Sequence, residues 1–197
     1  MVEKICVIGA GPAGIIAAGT AGSRGKDVVL IEKNNKIGKK LFITGKGRCN
    51  ITNGCDTQDL FSNMISNPKF MYSGFYSFSN HDVIRFFEDL GLKTKTERGN
   101  RVFPKSNKSS DVISTLEAEL KNLGVRIHLR SEVTKLIIEE NKFIGLQLKD
   151  NQKIYGDKLI IATGGLGYPV TGSTGDGYKF ARQIGHKVTK TYPSLVP

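Results

Sequence analysis

The feature that most constrains the fold is a glycine-rich turn near the N-terminus, between an apolar run and a helix-forming segment. Apolar residues 5–8 lead into Gly9-Ala10-Gly11-Pro12-Ala13-Gly14, and a second apolar run, 28–31, ends on Glu32. Gly9 permits the tight turn, Gly11 lets a pyrophosphate approach the backbone, and Gly14 lets the helix pack on the strand. This pattern predicts a βαβ unit that binds a dinucleotide.

The two ends of this unit predict which dinucleotide is bound. The free N–H groups and the positive dipole end of the helix can hold the phosphates. Glu32 can accept hydrogen bonds from the hydroxyls of an adenosine ribose, and its charge would repel a 2′-phosphate. We therefore expect FAD or NAD rather than NADP. The alternative is an ordinary βαβ unit whose glycines only make a turn.

Composition excludes several classes of protein. A chain of 197 residues with 39% hydrophobic and 24% charged residues is typical of a globular domain with a true core. No apolar stretch approaches the length of a membrane span, and the N-terminus lacks the pattern of a signal peptide. Three scattered cysteines argue against a disulfide framework. We expect a cytoplasmic protein without a membrane partner.

The net charge of +11 has two interpretations. It can indicate a nucleic-acid or acidic partner, or a lysine-rich solvated surface in which some basic residues serve phosphate groups. The lysines are spread along the chain and form no single basic tract. We favour the solvated surface and keep nucleic acid as the alternative.

The order of the remaining elements narrows the fold class. Periodicity predicts helices, extended strands and an antiparallel meander. The predicted helices cover 15–23, 57–66, 68–78, 80–90, 109–123 and 177–184. The predicted strands cover 93–97, 101–103, 125–129, 132–139, 143–148, 152–155 and 158–162. Residues 33–54 are predicted as a loop, and Ser79 or Asn80 is predicted to cap the helix that follows it.

A returning strand after the meander separates this chain from a plain NAD dehydrogenase. The strand ends in Ala162-Thr163-Gly164-Gly165, after three antiparallel strands within about 132–156. This arrangement resembles the FAD domain of the glutathione-reductase-like flavoproteins, where the corresponding turn approaches the same dinucleotide. The predicted class is therefore α/β: a Rossmann-like FAD-binding domain with a parallel sheet and a three-stranded antiparallel meander.

Three further blocks carry a more specific resemblance. They are the stretch 38–53 with Gly47-Arg48-Cys49-Asn50, Val102-Phe103-Pro104 with the following helix start, and residues 163–178 together with 193–197. Together they resemble the bacterial NAD(P)/FAD-dependent oxidoreductase family that includes aminoacetone oxidase-like flavoproteins and a bile-acid-reducing enzyme. The Thr174-Gly175-Asp176-Gly177 portion also resembles the flavoprotein subunits of fumarate reductase and succinate dehydrogenase.

The resemblance implies that members of this family are about twice as long. We expect residues 1–197 to be the N-terminal part of an FAD-binding domain, with a helical insertion at about 57–91. The substrate domain and the C-terminal FAD segment would then be absent, so the fold would be incomplete at its C-terminus.

The residues assigned to the cofactor combine the glycine turns with the matched blocks. They are Gly9, Gly11, Pro12, Ala13, Gly14, Glu32, Lys33, Lys40, Leu41, Gly47, Arg48, Cys49, Asn50, Val133, Ala162, Thr163, Gly164, Gly165 and Asp176.

Three of these residues have an alternative role, and a fourth is placed by resemblance alone. Arg48 is, as we favour, a charge near the pyrophosphate or flavin; the alternative is a surface arginine with a carboxylate partner. Cys49 is a redox thiol or, as we favour, a small buried residue behind the flavin. Asp176 caps a helix, contacts the ribityl chain or flavin edge, or does both. Val133 is placed, by resemblance, as a backbone partner of the adenine ring.

These assignments predict a flavoprotein oxidoreductase with non-covalent FAD, which exchanges a hydride with a small organic substrate. NAD(P)H is a candidate electron donor. The alternatives are a flavin-dependent tRNA-modifying protein and an inactive fragment of the flavoprotein. No catalytic residue is assigned, and the three histidines have no metal-ligand spacing.

Overall fold

The computed structural model describes residues 2–192, which form ten strands and seven α-helices. The block at 193–197, which contributes to the family resemblance, lies outside the described residues. The strands are β1 (Lys4–Ile8), β2 (Asp27–Ile31), β3 (Thr52–Asn53), β4 (Thr94–Glu97), β5 (Arg101–Pro104), β6 (Arg126–His128), β7 (Val133–Glu139), β8 (Lys142–Leu148), β9 (Lys153–Tyr155) and β10 (Lys158–Ile161). The helices are α1 (Pro12–Ser23), α2 (Lys39–Ile43), α3 (Thr57–Ser62), α4 (Tyr72–Ser77), α5 (Asn80–Asp89), α6 (Ser109–Asn122) and α7 (Asp176–Gln183).

The chain divides into two units. Among the described residues, the first contains 2–39 together with 120–192, and the second contains Lys40–Glu119. The glycine turn, the meander and the Ala162-Thr163-Gly164-Gly165 turn all belong to the first unit. The block that contains Arg48 belongs to the second.

A parallel sheet of order β10-β1-β2-β6 forms the centre of the first unit. Its strands are nearly continuous apolar runs, as expected when both faces are covered. Helix α1 packs against β1 and β2 and completes the predicted βαβ unit. The other face meets the antiparallel sheet β7-β8-β9. Their shared core contains Cys6, Ile8, Val29, Ile31, Val133, Leu136, Leu146, Leu148, Ile154 and Phe180.

The meander confirms the predicted fold class. Strands β7 and β8 pair from Val133–Leu148 to Glu139–Lys142. Glu140 and Asn141 have φ values of 48° and 59°, the positive angles that a two-residue hairpin turn needs. The short turn therefore sets the strand register, and the alternation of β7 and β8 buries one face of the sheet.

The second unit contains the antiparallel sheet β3-β5-β4 and the helices of the predicted insertion. The prediction of an uninterrupted loop over 33–54 is wrong, because α2, a 3₁₀ helix at Thr44–Gly47 and β3 lie within it. Strand β3 pairs with β5, where Thr52 opposes Val102. A two-residue strand is defined by this distant partner, so local periodicity cannot reveal it.

The predicted helix over 57–66 ends early, at Ser62, and a 3₁₀ helix at Pro68–Met71 precedes α4. The cap of α5 is Ser79, whose hydroxyl accepts from the Asp82 N–H while Asp82 accepts from the Ser79 N–H. This reciprocal pair is a capping box. Asn80 instead donates to the Asn53 and Cys55 carbonyls, at 2.7 and 2.8 Å.

Candidate dinucleotide-binding site

The glycine turn after β1 has the geometry that its sequence predicts. Gly9 has φ of 99°, and a Cβ there would lie 2.5 Å from the Ala162 carbonyl oxygen. A Cβ on Gly14 would lie 1.8 Å from the Gly9 oxygen, so α1 could not approach the turn with any larger residue. A Cβ on Gly11, in contrast, would meet no atom within 4 Å. The first and third glycines are thus required for packing, while the second leaves open space.

The N-terminus of α1 is available to an anion. Gly11 is its N-cap and makes no side-chain capping bond, and the first turn contains no acidic residue. Pro12 occupies the first helical position, and Pro12 and Ala13 are exposed. Uncapped N–H groups at a helix start, with the positive end of the dipole, favour a phosphate group.

Glu32 lies directly after β2, as predicted, but protein donors engage both of its oxygens. Its Oε2 accepts from the Ala10 N–H at 2.8 Å. Its Oε1 accepts from the backbone N–H and the side-chain amide of Asn34, at 2.8 and 2.6 Å. The side chain is buried, at 8% exposure. A carboxylate oxygen has two lone pairs, so Oε2 retains acceptor capacity for a ribose hydroxyl.

Asn34 is a site residue that sequence reasoning missed. Besides its bonds to Glu32, its amide donates to the Thr171 carbonyl at 3.1 Å, and its Oδ1 accepts from Lys39 at 3.2 Å. The carboxylate of Glu32 is therefore held in one orientation. An asparagine two residues after the acid was the available signal, because such a side chain readily bonds to nearby groups.

Asp176 does not cap α7, so the predicted capping role is wrong. Gly175 occupies the N-cap position, and Asp176 is the first helical residue. Its Oδ2 accepts from Lys33 Nζ at 2.7 Å and from the Thr174 hydroxyl at 2.9 Å. Burial acts to raise the pKa of Asp176, but the hydrogen bonds from Lys33 and Thr174 outweigh it and lower the pKa. Lys33, also assigned to the cofactor, is held in this ion pair.

The turn after β10 lies at the same sheet edge as the glycine turn. The Ala162 N–H donates to the Ile8 carbonyl at 2.8 Å. Gly164 has φ of 73°, and a Cβ there would lie 2.7 Å from the Ser173 hydroxyl. Thr163 Oγ1 is buried and has no hydrogen-bond partner among residues 2–192. A buried hydroxyl without a partner is uncommon.

Arg48 lies in the second unit and is paired with a carboxylate, as in the alternative interpretation of a surface arginine. Its guanidinium pairs with Glu97 at 2.5 Å and donates to Asn107. It also lies over the Phe103 ring, 4.1 Å from the centroid. Hydrogen bonds from Arg48 and then Lys95 lower the pKa of Glu97 from 4.5 to about 2. The positive charge of Arg48 is therefore largely compensated within the second unit.

The neighbours of Arg48 have mainly local surroundings. Cys49 is fully buried, and burial raises the pKa of its thiol. This agrees with a packing residue better than with a reactive thiolate. With its amide oriented to suit its neighbours, Asn50 donates to the Val102 and Thr52 carbonyls, at 3.2 and 3.0 Å. Lys40 and Leu41 lie on α2, and Gly47 ends the 3₁₀ helix with φ of 82°.

Val133 begins β7, and its side chain belongs to the shared core of the first unit. Its predicted contact with adenine involves the backbone and stays a prediction. Among residues 2–192, no three His, Cys, Asp or Glu side chains form a group that could hold a metal ion. In the same range, no helix has the length and apolar character needed to cross a membrane.

The sequence matches the HI0933-like protein Rossmann domain over residues 3–192. The chain belongs to this HI0933-like family. The match includes both units and agrees with the α/β fold and the glycine turn. It confirms the resemblance to a bacterial oxidoreductase family that the blocks around Arg48 and Thr163 carry.

Two curated relatives of this HI0933-like chain have different named activities. This chain is 35% identical over 196 residues to the 3-dehydro-bile acid delta(4,6)-reductase of Clostridium scindens, and the alignment covers 98% of this chain and 47% of the relative. It is 34% identical over 192 residues to the ribosomal RNA dihydrouridine synthase of Escherichia coli, covering 97% of this chain and 46% of the relative. The chain thus spans about half the length of these relatives.

A solved structure confirms the fold of the HI0933-like chain. The open conformation of a flavocytochrome c3 fumarate reductase superimposes with a TM-score of 0.66 at 23% identity, covering 94% of this chain and 41% of the other. At this identity the likeness concerns the fold alone. It supports the predicted Rossmann-like architecture with a parallel sheet and an antiparallel meander.

Proposed function

We propose that this HI0933-like chain is the FAD-binding part of a flavin-dependent oxidoreductase that acts on a small organic substrate. The observation that carries the proposal is the open space at Gly11 beside the uncapped start of α1. A pyrophosphate can reach backbone N–H groups only where no side chain intervenes. The relative named as a bile-acid reductase supports a redox role.

The residues of the first unit have complementary roles in this proposal. The start of α1 binds the pyrophosphate, and Glu32, oriented by Asn34, accepts from the ribose hydroxyls. The unpartnered hydroxyl of Thr163 fits a polar group of the cofactor at the same edge of the sheet. Non-covalent FAD would supply hydride transfer, while the protein supplies binding, orientation and electrostatics. NAD(P)H is the proposed electron donor.

The test is FAD binding by wild-type protein and by two matched glycine variants. Gly11→Val should weaken binding at least about tenfold, because its side chain would occupy the space proposed for the pyrophosphate. Gly74→Val is the control, since a Cβ at Gly74 also meets no atom within 4 Å and Gly74 lies on α4, in the second unit. The change in flavin absorbance during titration measures the FAD affinity of each variant. Equal affinity of the Gly11→Val variant and the wild type would contradict the proposed pyrophosphate position.

A second candidate is the flavin-dependent reduction of an RNA base. The relative named as a ribosomal RNA dihydrouridine synthase and the net charge of +11 favour it. It requires the same cofactor, so FAD binding does not separate the two candidates. Incubation of the reduced protein with ribosomal RNA, followed by nucleoside analysis for dihydrouridine, separates them. Reduction of a bile-acid-like enone without any dihydrouridine would favour the small organic substrate.

A further inference from the structure

A basic surface lies on one side of the β4–β5 hairpin in the second unit. Residues 93–108 contain six lysines and arginines and one carboxylate, a formal charge of +5 out of +11 for the whole chain. These residues form no continuous basic run. Antiparallel pairing brings four of the six, Lys93, Lys95, Arg101 and Lys105, onto one side, because alternate residues of two neighbouring strands share one face.

The strand register defines this surface, which we call the hairpin face. Lys95 opposes Phe103, and Glu97 opposes Arg101. The Lys105 N–H donates to the Lys93 carbonyl at 2.8 Å, which extends the same pairing. Arg48 joins the face by lying over Phe103. The hairpin face therefore contains Arg48, Lys93, Lys95, Glu97, Arg101, Phe103 and Lys105.

The charges on the hairpin face are not balanced. Glu97 is its only carboxylate within the described chain, and Arg48 and Lys95 both pair with it, at 2.5 and 2.9 Å. Lys93 and Lys105 are exposed, and neither has an ion-pair partner within residues 2–192. Like charges directly opposite each other destabilise a strand pair. A polyanion would remove that repulsion.

The hairpin face has a recess between Lys93 and Lys105. Lys93 and Lys105 line a recess of about 380 Å³ together with Glu88, Gly91, Leu92 and Thr94. The Glu88 carboxylate in its wall accepts from the Thr94 hydroxyl at 2.5 Å. Arg101 begins β5 and Lys105 directly follows its last residue, so the two are four residues apart, about 13 Å in an extended chain. The cations thus follow a line that continues past the recess.

We propose that the hairpin face binds the phosphodiester backbone of RNA. Phe103 is buried, at 3% exposure, so the face offers cations without an exposed apolar centre. Protein–protein interfaces have cores depleted of charged residues, whereas nucleic-acid interfaces are polar and strongly positive. An RNA strand therefore matches this surface better than an acidic protein does. The inference rests on the RNA-directed candidate for the function, and it locates the RNA contact on the second unit.

The test compares RNA binding by the purified protein and two triple variants of equal charge. One combines Lys93→Gln, Arg101→Gln and Lys105→Gln on the hairpin face. The control combines Lys135→Gln, Lys142→Gln and Lys153→Gln on exposed positions of the meander. The probe is a fluorescent single-stranded oligouridine of about 20 nucleotides, followed by anisotropy over a range of salt concentrations.

The hairpin variant should bind at least about tenfold more weakly, and its log–log salt slope should fall by about 2, since each lost phosphate contact removes about 0.7. The control should bind nearly as the parent does. Lys93→Arg with Lys105→Arg should retain binding, and circular dichroism should show all variants folded.

Three results would overturn the proposal. These are a parent protein that does not bind the probe, equal weakening by both triple variants, and competition by polyglutamate as effective as that by RNA. FAD titration of each variant keeps this test separate from the cofactor proposal. A hairpin variant that loses RNA binding but retains FAD binding supports both proposals. A parent protein that binds the RNA probe but not FAD contradicts the cofactor proposal and still supports the RNA contact on the hairpin face.

Discussion

At the scale of single residues, the bonds around Glu32 decide how the site can work. Ala10 is fully buried, and its N–H donates to the Glu32 carboxylate. A buried N–H without an acceptor is costly, so Glu32 contributes to the fold as well as to the proposed ribose contact. Asn34 binds the other oxygen and also contacts the Thr171 carbonyl.

Glu32→Ala should therefore weaken FAD binding and also lower the free energy of unfolding by about 2 kcal/mol, through the unsatisfied Ala10 N–H. Asn34→Ala leaves the Ala10 bond intact and should cost only about 1 kcal/mol. Urea unfolding monitored by circular dichroism, with a parallel flavin titration, measures both effects. The opposite ranking of the two variants in stability would show that Asn34, and not Glu32, supports the turn.

At the scale of elements, α5 shows how local chemistry defines a helix start. Its capping box lies entirely within Ser79 and Asp82, three residues apart. Such a pattern is visible in the sequence, although the choice between Ser79 and Asn80 is not. The side-chain amide of Asn80 donates to carbonyls 27 and 25 residues away. Because these distant hydrogen bonds engage Asn80, Ser79 is the residue that caps the helix.

Ser79→Ala should lower the free energy of unfolding by about 1 kcal/mol, because the Asp82 N–H loses its acceptor at the helix start. Ser73→Ala, at an exposed position within α4, is the matched control and should change stability by less than about 0.5 kcal/mol. Thermal or urea unfolding of the two variants provides the comparison. A loss of equal size in the control would argue against a specific capping effect.

The β4–β5 hairpin makes stability depend on pH through Glu97. Its pKa is lowered from 4.5 to about 2 in the folded protein by Arg48 and Lys95. A carboxyl with a depressed pKa stabilises the fold above its unfolded value, and that contribution is lost as the pH falls from about 4.5 to about 2. Glu97→Gln should flatten the pH dependence of unfolding in this window. Arg48→Met should do the same, while an unchanged profile in both variants would exclude this pair as the cause.

At the scale of the whole molecule, two units with separate sheets share one family match over residues 3–192. The proposed cofactor contacts of the first unit come from chain segments far apart in sequence. The glycine turn, Glu32 and Thr163 meet because β1 pairs with both β2 and β10. A ligand that binds only this assembled edge should stabilise the folded state.

FAD at about 100 times its dissociation constant should raise the free energy of unfolding by about 2.7 kcal/mol. NADP at the same concentration should have a smaller effect, since Glu32 disfavours a 2′-phosphate. Thermal unfolding over a range of ligand concentrations measures both. Greater stabilisation by NADP than by FAD would contradict the role assigned to Glu32.

The sequence by itself determined the elements whose causes are local. The glycine turn after β1, the position of Glu32 after β2 and the meander follow from backbone conformation, packing space and alternation over a few residues. These features were sufficient to predict the fold class, which the family match and the solved structure confirm. Most of the predicted cofactor contacts stay predictions, because they depend on a ligand.

Only the tertiary structure decided the partners of the charged residues. Arg48 pairs with Glu97, 49 positions away, and Lys33 pairs with Asp176, 143 positions away. Strand β3 likewise exists only because β5 pairs with it. Lys93, Lys95, Arg101 and Lys105 form one surface through the pairing of β4 and β5. A long charged side chain can reach many partners, so its role is decided by the carboxylate or the anion that folding brings near it.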